Sequence, residues 1–252
     1  MGHLHPFFCY YGGKWRAAKR YPTPLHDTIV EPFAGGAGYS VRYHDHKVVL
    51  YEADPVVYEL WDYLVRVTPA EIMALPSRVD HVDDVKAPDP AKSLIGFWLN
   101  KGVTSPKKTP SAWARSGVRP NSFWGQTIKE RIASQVPRIR HWKVKNASYE
   151  TAENIEATWY VDPPYQGACG NCYRYRDVDY DHLGNWCQNR LGQVIVCEQE
   201  GATWLPFEPF AAIKATPGSR GKSYSKEVIW TNESSLLPCD IGFYSGTATL
   251  GS

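Results

Sequence analysis

Residues 27–38, DTIVEPFAGGAG, constrain this chain more than any other stretch. DTIVEPF (27–33) reads as a buried strand, with β-branched Thr28, Ile29 and Val30, and Gly35, Gly36 and Gly38 follow in the turn into the first helix. Glycine admits backbone angles and close approaches that a Cβ forbids, so this is a tight turn from a strand into a helix. In an open α/β sheet such a turn lies at the carboxyl end of its strand, where ligands collect. The GxGxxG dinucleotide spacing is absent, because Ala37 interrupts it.

The alternation continues. GYSVRYH (38–44) reads as a short helix, KVVLYEAD (47–54) as a second strand and PVVYELWDYLVRV (55–67) as an amphipathic helix opening with proline. HWKVKNA, ATWYVD, LGQVIVCE, PFAAIKA and KEVIWTN supply five more strands. Seven strands with helical crossovers predict an α/β fold with a largely parallel, doubly wound sheet. The length, 252 residues, fits one mixed domain carrying an insert, and no internal repeat is visible.

Charge marks the insert. Net charge is only +2, yet residues 101–145 hold eleven Lys or Arg against the single acid Glu130, while residues 51–90 hold nine acids against three basic residues. The basic stretch is interleaved with Trp98, Trp113, Phe123, Trp124 and Trp142, a mixture expected where phosphates are neutralised and bases are contacted. A solvated basic surface over a small Trp-rich core is the plainer alternative. Within it, Arg115, Arg119 and Asn121 are candidate base-edge readers, and Lys107 and Lys108 candidate phosphate contacts.

Two further strand ends carry chemistry. The second strand ends in YEAD, which places Asp54 23 residues after Glu31, where an acid in this topology accepts hydrogen bonds from a ribose. Beside Glu31 and Asp54 a phosphate would sit poorly, whereas a nucleoside bearing positive charge would sit well. The fourth strand ends in Asp162, Pro163, Pro164 and Tyr165. Asp162 offers an acceptor, the prolines fix backbone carbonyls, and Tyr165 offers a ring, a set suited to an exocyclic amine on a flat base. A proline turn with a helix-capping Asp is the alternative for this motif in isolation.

Four stretches, YYGGKW (10–15), EPFAGGAG (31–38), YEADP (51–55) and YVDPPY (160–165), together resemble the Dam-type (α-class) DNA adenine-N6 methyltransferases, in the same order. A weaker echo, DYDHLGNW, GQVIVCE and SRGKSYSKEVIWTN, extends the likeness to residue 232. The resemblance implies a Rossmann-like seven-stranded methyltransferase sheet formed by 1–68 and 141–252, with 69–140 as an inserted target-recognition region. It implies S-adenosylmethionine as cofactor, double-stranded DNA as partner and base flipping of an adenine. Tyr11 and Lys14 would lie by the cofactor; Glu31, Phe33, Gly35 and Gly36 would hold its methionine end, and Asp54 its ribose. Asp162, Pro163, Pro164 and Tyr165 would bind the target amine, with Asp162 also facing the cofactor. Where many relatives carry an acidic residue followed by an aromatic at the cofactor's adenine, this chain has Ser148 and Tyr149.

An RNA adenine or cytosine-N4 methyltransferase, or a non-catalytic DNA-binding relative, are the alternative functions; Asp162 favours adenine, and an intact cofactor pocket disfavours a pure binder. The biological role, in restriction-modification, in a phage or alone, is not encoded. No apolar run is long enough to span a bilayer and the N-terminus lacks a secretory apolar region, so a cytoplasmic protein of a bacterial or phage-infected cell is expected. The expected state is a monomer, with a dimer the alternative. Cys9, Cys169, Cys172, Cys187, Cys197 and Cys239 read as reduced thiols. Cys169, Cys172, His182 and Cys187 have the residue order of a small zinc site, but the surrounding YDHL echoes a metal-free stretch of the family and no metal is expected.

Overall fold

In the computed structural model, which describes residues 2–118, 120–167, 170, 172–214 and 224–233, the seven expected strands form one sheet. They are β1 (Thr28–Glu31), β2 (Lys47–Glu52), β3 (Lys143–Asn146), β4 (Ala157–Val161), β5 (Gly192–Gln199), β6 (Glu208–Lys214) and β7 (Tyr224–Thr231), in the order β3-β2-β1-β4-β5-β7-β6. The first five strands run parallel, and β7 runs antiparallel between β5 and β6. The architecture is therefore α/β with a mostly parallel mixed sheet, consistent with the Rossmann-like methyltransferase fold.

Side-chain alternation along the strands builds two cores. Ile29, Leu50, Tyr160, Ile195 and Cys197 point to one face, while Val30, Trp159, Val161, Val194 and Val196 point to the other. The core on the first face takes in α1 (Gly38–Arg42), α2 (Pro55–Leu64), α4 (Asp89–Leu99) and α6 (Gln126–Gln135), with α3 (Pro69–Ala74) between α2 and α4 in the chain and α5 (Ala112–Arg115) between α4 and α6. The second face is covered by α7 (Tyr180–Gln188) through Leu183, Trp186 and Cys187. Asp54 caps α2 by accepting from the Val56 N–H at 2.9 Å, with Pro55 at the first helical position. Thr68 and Glu71 form a capping box at α3.

Residues 69–140 contribute α3 to α6, and their apolar side chains (Ile72, Leu94, Ile95, Phe97, Ile128, Ile132) belong to the same core as the sheet. This changes the reading of the aromatic residues there. Trp98, Phe123, Trp124 and Trp142 are buried, and of the five aromatics only Trp113 is exposed. The reason is geometric: α4 packs on α2 and α6 on α3, and Trp98, Trp124 and Trp142 fill the core beneath them rather than face a ligand. Several basic residues are also engaged internally. Lys101 lies over the Trp98 ring at 4.7 Å, the Arg131 guanidinium over the same ring at 4.9 Å, and Arg140 donates to the Val67 carbonyl at 2.6 Å just past the end of α2. No helix among the described residues is long and apolar enough to cross a membrane.

Ala37 stands in the left-handed region, φ 43° and ψ 46°, immediately before α1. A Cβ there costs about 1 kcal/mol, and glycine removes that cost while adding unfolded-chain entropy. Ala37→Gly is expected to raise the unfolding free energy by roughly 0.5 kcal/mol, measured by urea denaturation; a clear loss of stability would show that the methyl, 1% exposed, contributes more through packing.

Candidate active site

The carboxyl ends of β1 to β4 open onto one cavity of about 460 Å³. Its wall includes Tyr11, Lys14, Glu31, Phe33, Gly35, Gly36, Asp54, Ser148, Tyr149 and Asp162, so residues up to 151 positions apart in the sequence meet in one place. Pro164 also faces the cavity. Pro163 lies buried behind it, and the Tyr165 ring sits beneath the Lys14 ammonium at 4.7 Å.

The glycine turn is held from three sides. The Gly35 N–H donates to Glu52 Oε2 at 2.8 Å, and the Gly35 carbonyl accepts from Trp61 Nε1 of α2 at 2.8 Å. Gly35 has φ +43°, and a Cβ on it would come within 3.1 Å of the Tyr10 ring. Glu52 Oε1 accepts from the Asp54 N–H at 2.9 Å, so one carboxyl fixes both the turn after β1 and the end of β2. Sequence reasoning assigned Asp54 and passed over Glu52, although its position at the last residue of a buried strand was a signal. It also passed over Tyr10 and over residues 173–178, which line the cavity and bring Arg174 to 3.6 Å from Asp54 Oδ1.

Glu31 is buried and accepts from the Ser40 N–H in α1 at 2.7 Å. Burial raises its carboxyl to about 8, partly offset by Ser40. Burial likewise raises Glu52 to about 7, partly offset by the backbone N–H groups of Asp54 and Gly35. The opposite wall is aromatic: Phe33 and Tyr149 stack at 5.2 Å and 29°, and the Tyr149 hydroxyl shares a hydrogen bond with His182 Nδ1 at 2.8 Å. Ser148, just before Tyr149, lies at the same end.

At the far side, Lys14 Nζ donates to Asp162 Oδ1 at 2.8 Å, to Oδ2 at 3.1 Å and to the Gly12 carbonyl at 3.2 Å. Burial by itself favours the neutral amine, but Asp162, Tyr165 and Glu227 outweigh it and hold Lys14 well above the ordinary lysine range. Burial pushes the Asp162 carboxyl up, and Lys14 pulls it part of the way back. Lys14 reaches this point because the backbone of residues 14 and 15 lies directly on Gly38. The Pro164 carbonyl accepts from the Tyr180 hydroxyl at 2.6 Å.

No protein-family model matches the chain, and no curated protein matches it. Among solved structures it is similar to a conserved hypothetical protein from Streptococcus pyogenes, at 12% identity over 82% of this chain and 86% of that one, with a TM-score of 0.34, a likeness too slight to bear on function.

The candidate DNA contacts lie apart from the cavity wall. Lys107, Lys108, Arg115 and Asn121 are exposed. Lys108 pairs with Asp83 at 2.7 Å, and Asn121 Oδ1 accepts from the Thr127 hydroxyl at 3.1 Å. Arg119 lies outside the described residues, as does Cys169 of the considered zinc set. Cys187 of that set is buried on α7, His182 faces Tyr149, and among the described residues no three His, Cys, Asp or Glu side chains are grouped to hold a metal.

The arrangement suits a ligand with a flat heterocycle against Phe33 and Tyr149, hydroxyls at Asp54, and a cationic end near Glu31. A second, amine-bearing flat group fits the Asp162 end.

Proposed function

We propose that this protein transfers a methyl group from S-adenosylmethionine to the exocyclic N6 amine of adenine in double-stranded DNA. The observation that carries the reading is the meeting, in one cavity at the carboxyl ends of β1 to β4, of the glycine turn, Glu31, Asp54, Lys14 and Asp162. The residues present fit the cofactor: carboxyls for its positive charge, an acceptor for its ribose and an aromatic pair for its adenine. When bound, it supplies an electrophilic methyl on a positively charged sulfur.

The chain supplies position and polarity. Asp162 and a proline carbonyl of the turn that follows it accept hydrogen bonds from the two N–H groups of the target amine. These bonds draw the hydrogens out of the plane favoured by the ring, so the nitrogen lone pair is less delocalised and a better nucleophile. Asp162 then accepts the proton that the alkylated nitrogen sheds; burial, which raises its carboxyl, suits it to that task. The exposed Lys107 and Arg115 offer charge to the phosphates of a duplex from which the adenine is turned out.

The test is incubation with labelled S-adenosylmethionine and, separately, duplex DNA, single-stranded DNA and RNA, followed by nucleoside analysis. N6-methyladenine from duplex DNA is expected; label only in RNA or protein would sink the reading.

The buried acids add a pH signature. Glu52 and Glu31 ionise in turn at about 7 and about 8, so both are largely protonated at the acid end of this range. Only the ionised forms attract a cation, so cofactor affinity is expected to rise with pH between 6 and 9, with protons released on binding. Calorimetric titration in buffers of different ionisation enthalpy measures that release; an affinity flat across this window, with no proton release, would contradict it.

A further inference from the structure

Lys14 holds both oxygens of Asp162 in this structure, at 2.8 and 3.1 Å, which is the carboxyl that the proposed reaction needs for the target amine. A lysine ammonium has three N–H donors, and Gly12 takes the third. For an adenine amine to donate to Asp162, the ammonium must give up at least one of those bonds. A buried ammonium cannot do so without another acceptor, since leaving a donor unpaired costs about 1–3 kcal/mol.

That acceptor is in place. Glu227 Oε1, carried on β7, stands 3.6 Å from Lys14 Nζ, beyond a hydrogen bond but inside ion-pair range. It is buried, and two phenols fix its direction: Tyr21 donates to Oε2 at 2.6 Å and Tyr165 to Oε1 at 3.3 Å. A movement of Nζ by less than about 1 Å would convert the contact into a hydrogen bond. Tyr165 touches both ends of this exchange, because its ring lies under Lys14 and its hydroxyl on Glu227.

We infer that Glu227 is a positioning residue that receives the Lys14 ammonium when the target amine takes Asp162, an inference that rests on the methyltransferase reading above. The exchange keeps Lys14 charged and paired throughout, so Asp162 is protected from solvent counter-ions when empty and released when the base arrives. No covalent step is involved.

The test uses Glu227→Gln, which keeps the side chain's size and one acceptor for a phenol but removes the charge that attracts lysine. With long, unmethylated, mixed-sequence duplex DNA, kcat/KM for DNA is expected to fall about tenfold or more, the loss of one charge-assisted contact, with cofactor affinity unchanged. A readout independent of turnover is the 13Cε resonance of Lys14, assigned with Lys14→Arg in lysine-labelled protein. It is expected to shift when duplex DNA is added to the wild type, to stay put in Glu227→Gln, and to start at the shifted position in Asp162→Asn without DNA. Equal turnover in Glu227→Gln and wild type, or an equal Lys14 shift in both, overturns the exchange while leaving the methyltransferase reading intact. Loss of cofactor affinity in Glu227→Gln also overturns it, since the residue would then be a structural support. A wild type that transfers no methyl group to DNA overturns both.

Discussion

Asp162→Ala is expected to abolish methyl transfer and to leave cofactor binding in place. Under the proposed function the side chain is the charged acceptor for the amine, and removing a group that contacts the reacting atoms typically costs on the order of 10² to 10³ in turnover. Here the loss is expected at the upper end or beyond, because the same carboxyl also takes the proton that the product sheds. Its removal leaves Lys14 buried, but Glu227 at 3.6 Å remains as a counter-ion, so the fold is expected to survive the substitution. Cofactor affinity by calorimetry, the thermal midpoint and transfer of labelled methyl to duplex DNA separate these effects. Full transfer in the variant would remove Asp162 from the chemistry and with it the proposed function.

Gly38→Ala is expected to damage the site from a distance. A Cβ at that position would stand 2.5 Å from the Trp15 nitrogen, 2.9 Å from the Lys14 carbonyl carbon and 3.0 Å from the Lys14 nitrogen. All three are backbone atoms, so no rotamer change relieves the overlap, and either α1 or the Lys14 segment must move. Overpacking of this kind costs about 1–3 kcal/mol, and a shift of about 1 Å in a catalytic group can cost on the order of 10² in rate. Urea denaturation and transfer kinetics are expected to fall together. A variant with wild-type midpoint and rate would show that the close approach of residues 14 and 15 is not required.

The sheet was legible because each strand is a β-branched or aromatic run cut off by glycine, proline or an acid, and all seven runs are strands. The site was legible for a related reason: in a parallel sheet the ends of successive strands converge, so Glu31, Asp54 and Asp162 share a cavity although distant in the chain. What sequence reasoning missed depends on contacts without local pattern. Glu52 looked like the inner face of a strand end, and only the structure shows its carboxyl bridging Gly35 and Asp54. Glu227 meets Tyr21 across 206 positions, and no spacing announces that. The reversed direction of β7 was likewise unreadable from an apolar run, since strand periodicity is the same in both directions. The aromatics of 69–140 were given to a nucleic-acid surface because composition does not say which face of a helix a ring occupies. The run Leu94, Ile95, Phe97, Trp98 on α4 carries a helical apolar spacing that argued for burial.

The reversed strand has a consequence for how the molecule comes into being on the ribosome. Glycine turn, Lys14 and Asp162 all emerge before β7, yet Glu227 arrives with it, far later. Until then Lys14 has one carboxylate, and β5 presents an open edge along Ile195 to Gln199 where β7 will pair. A nascent chain halted between α7 and β7 would thus carry the cavity without the second carboxylate beside Lys14, and a strand edge inviting self-association. Arrival of Glu227 beside Lys14 and closure of that edge are one event, so a chain with the finished cavity is also one that has lost this route to aggregation.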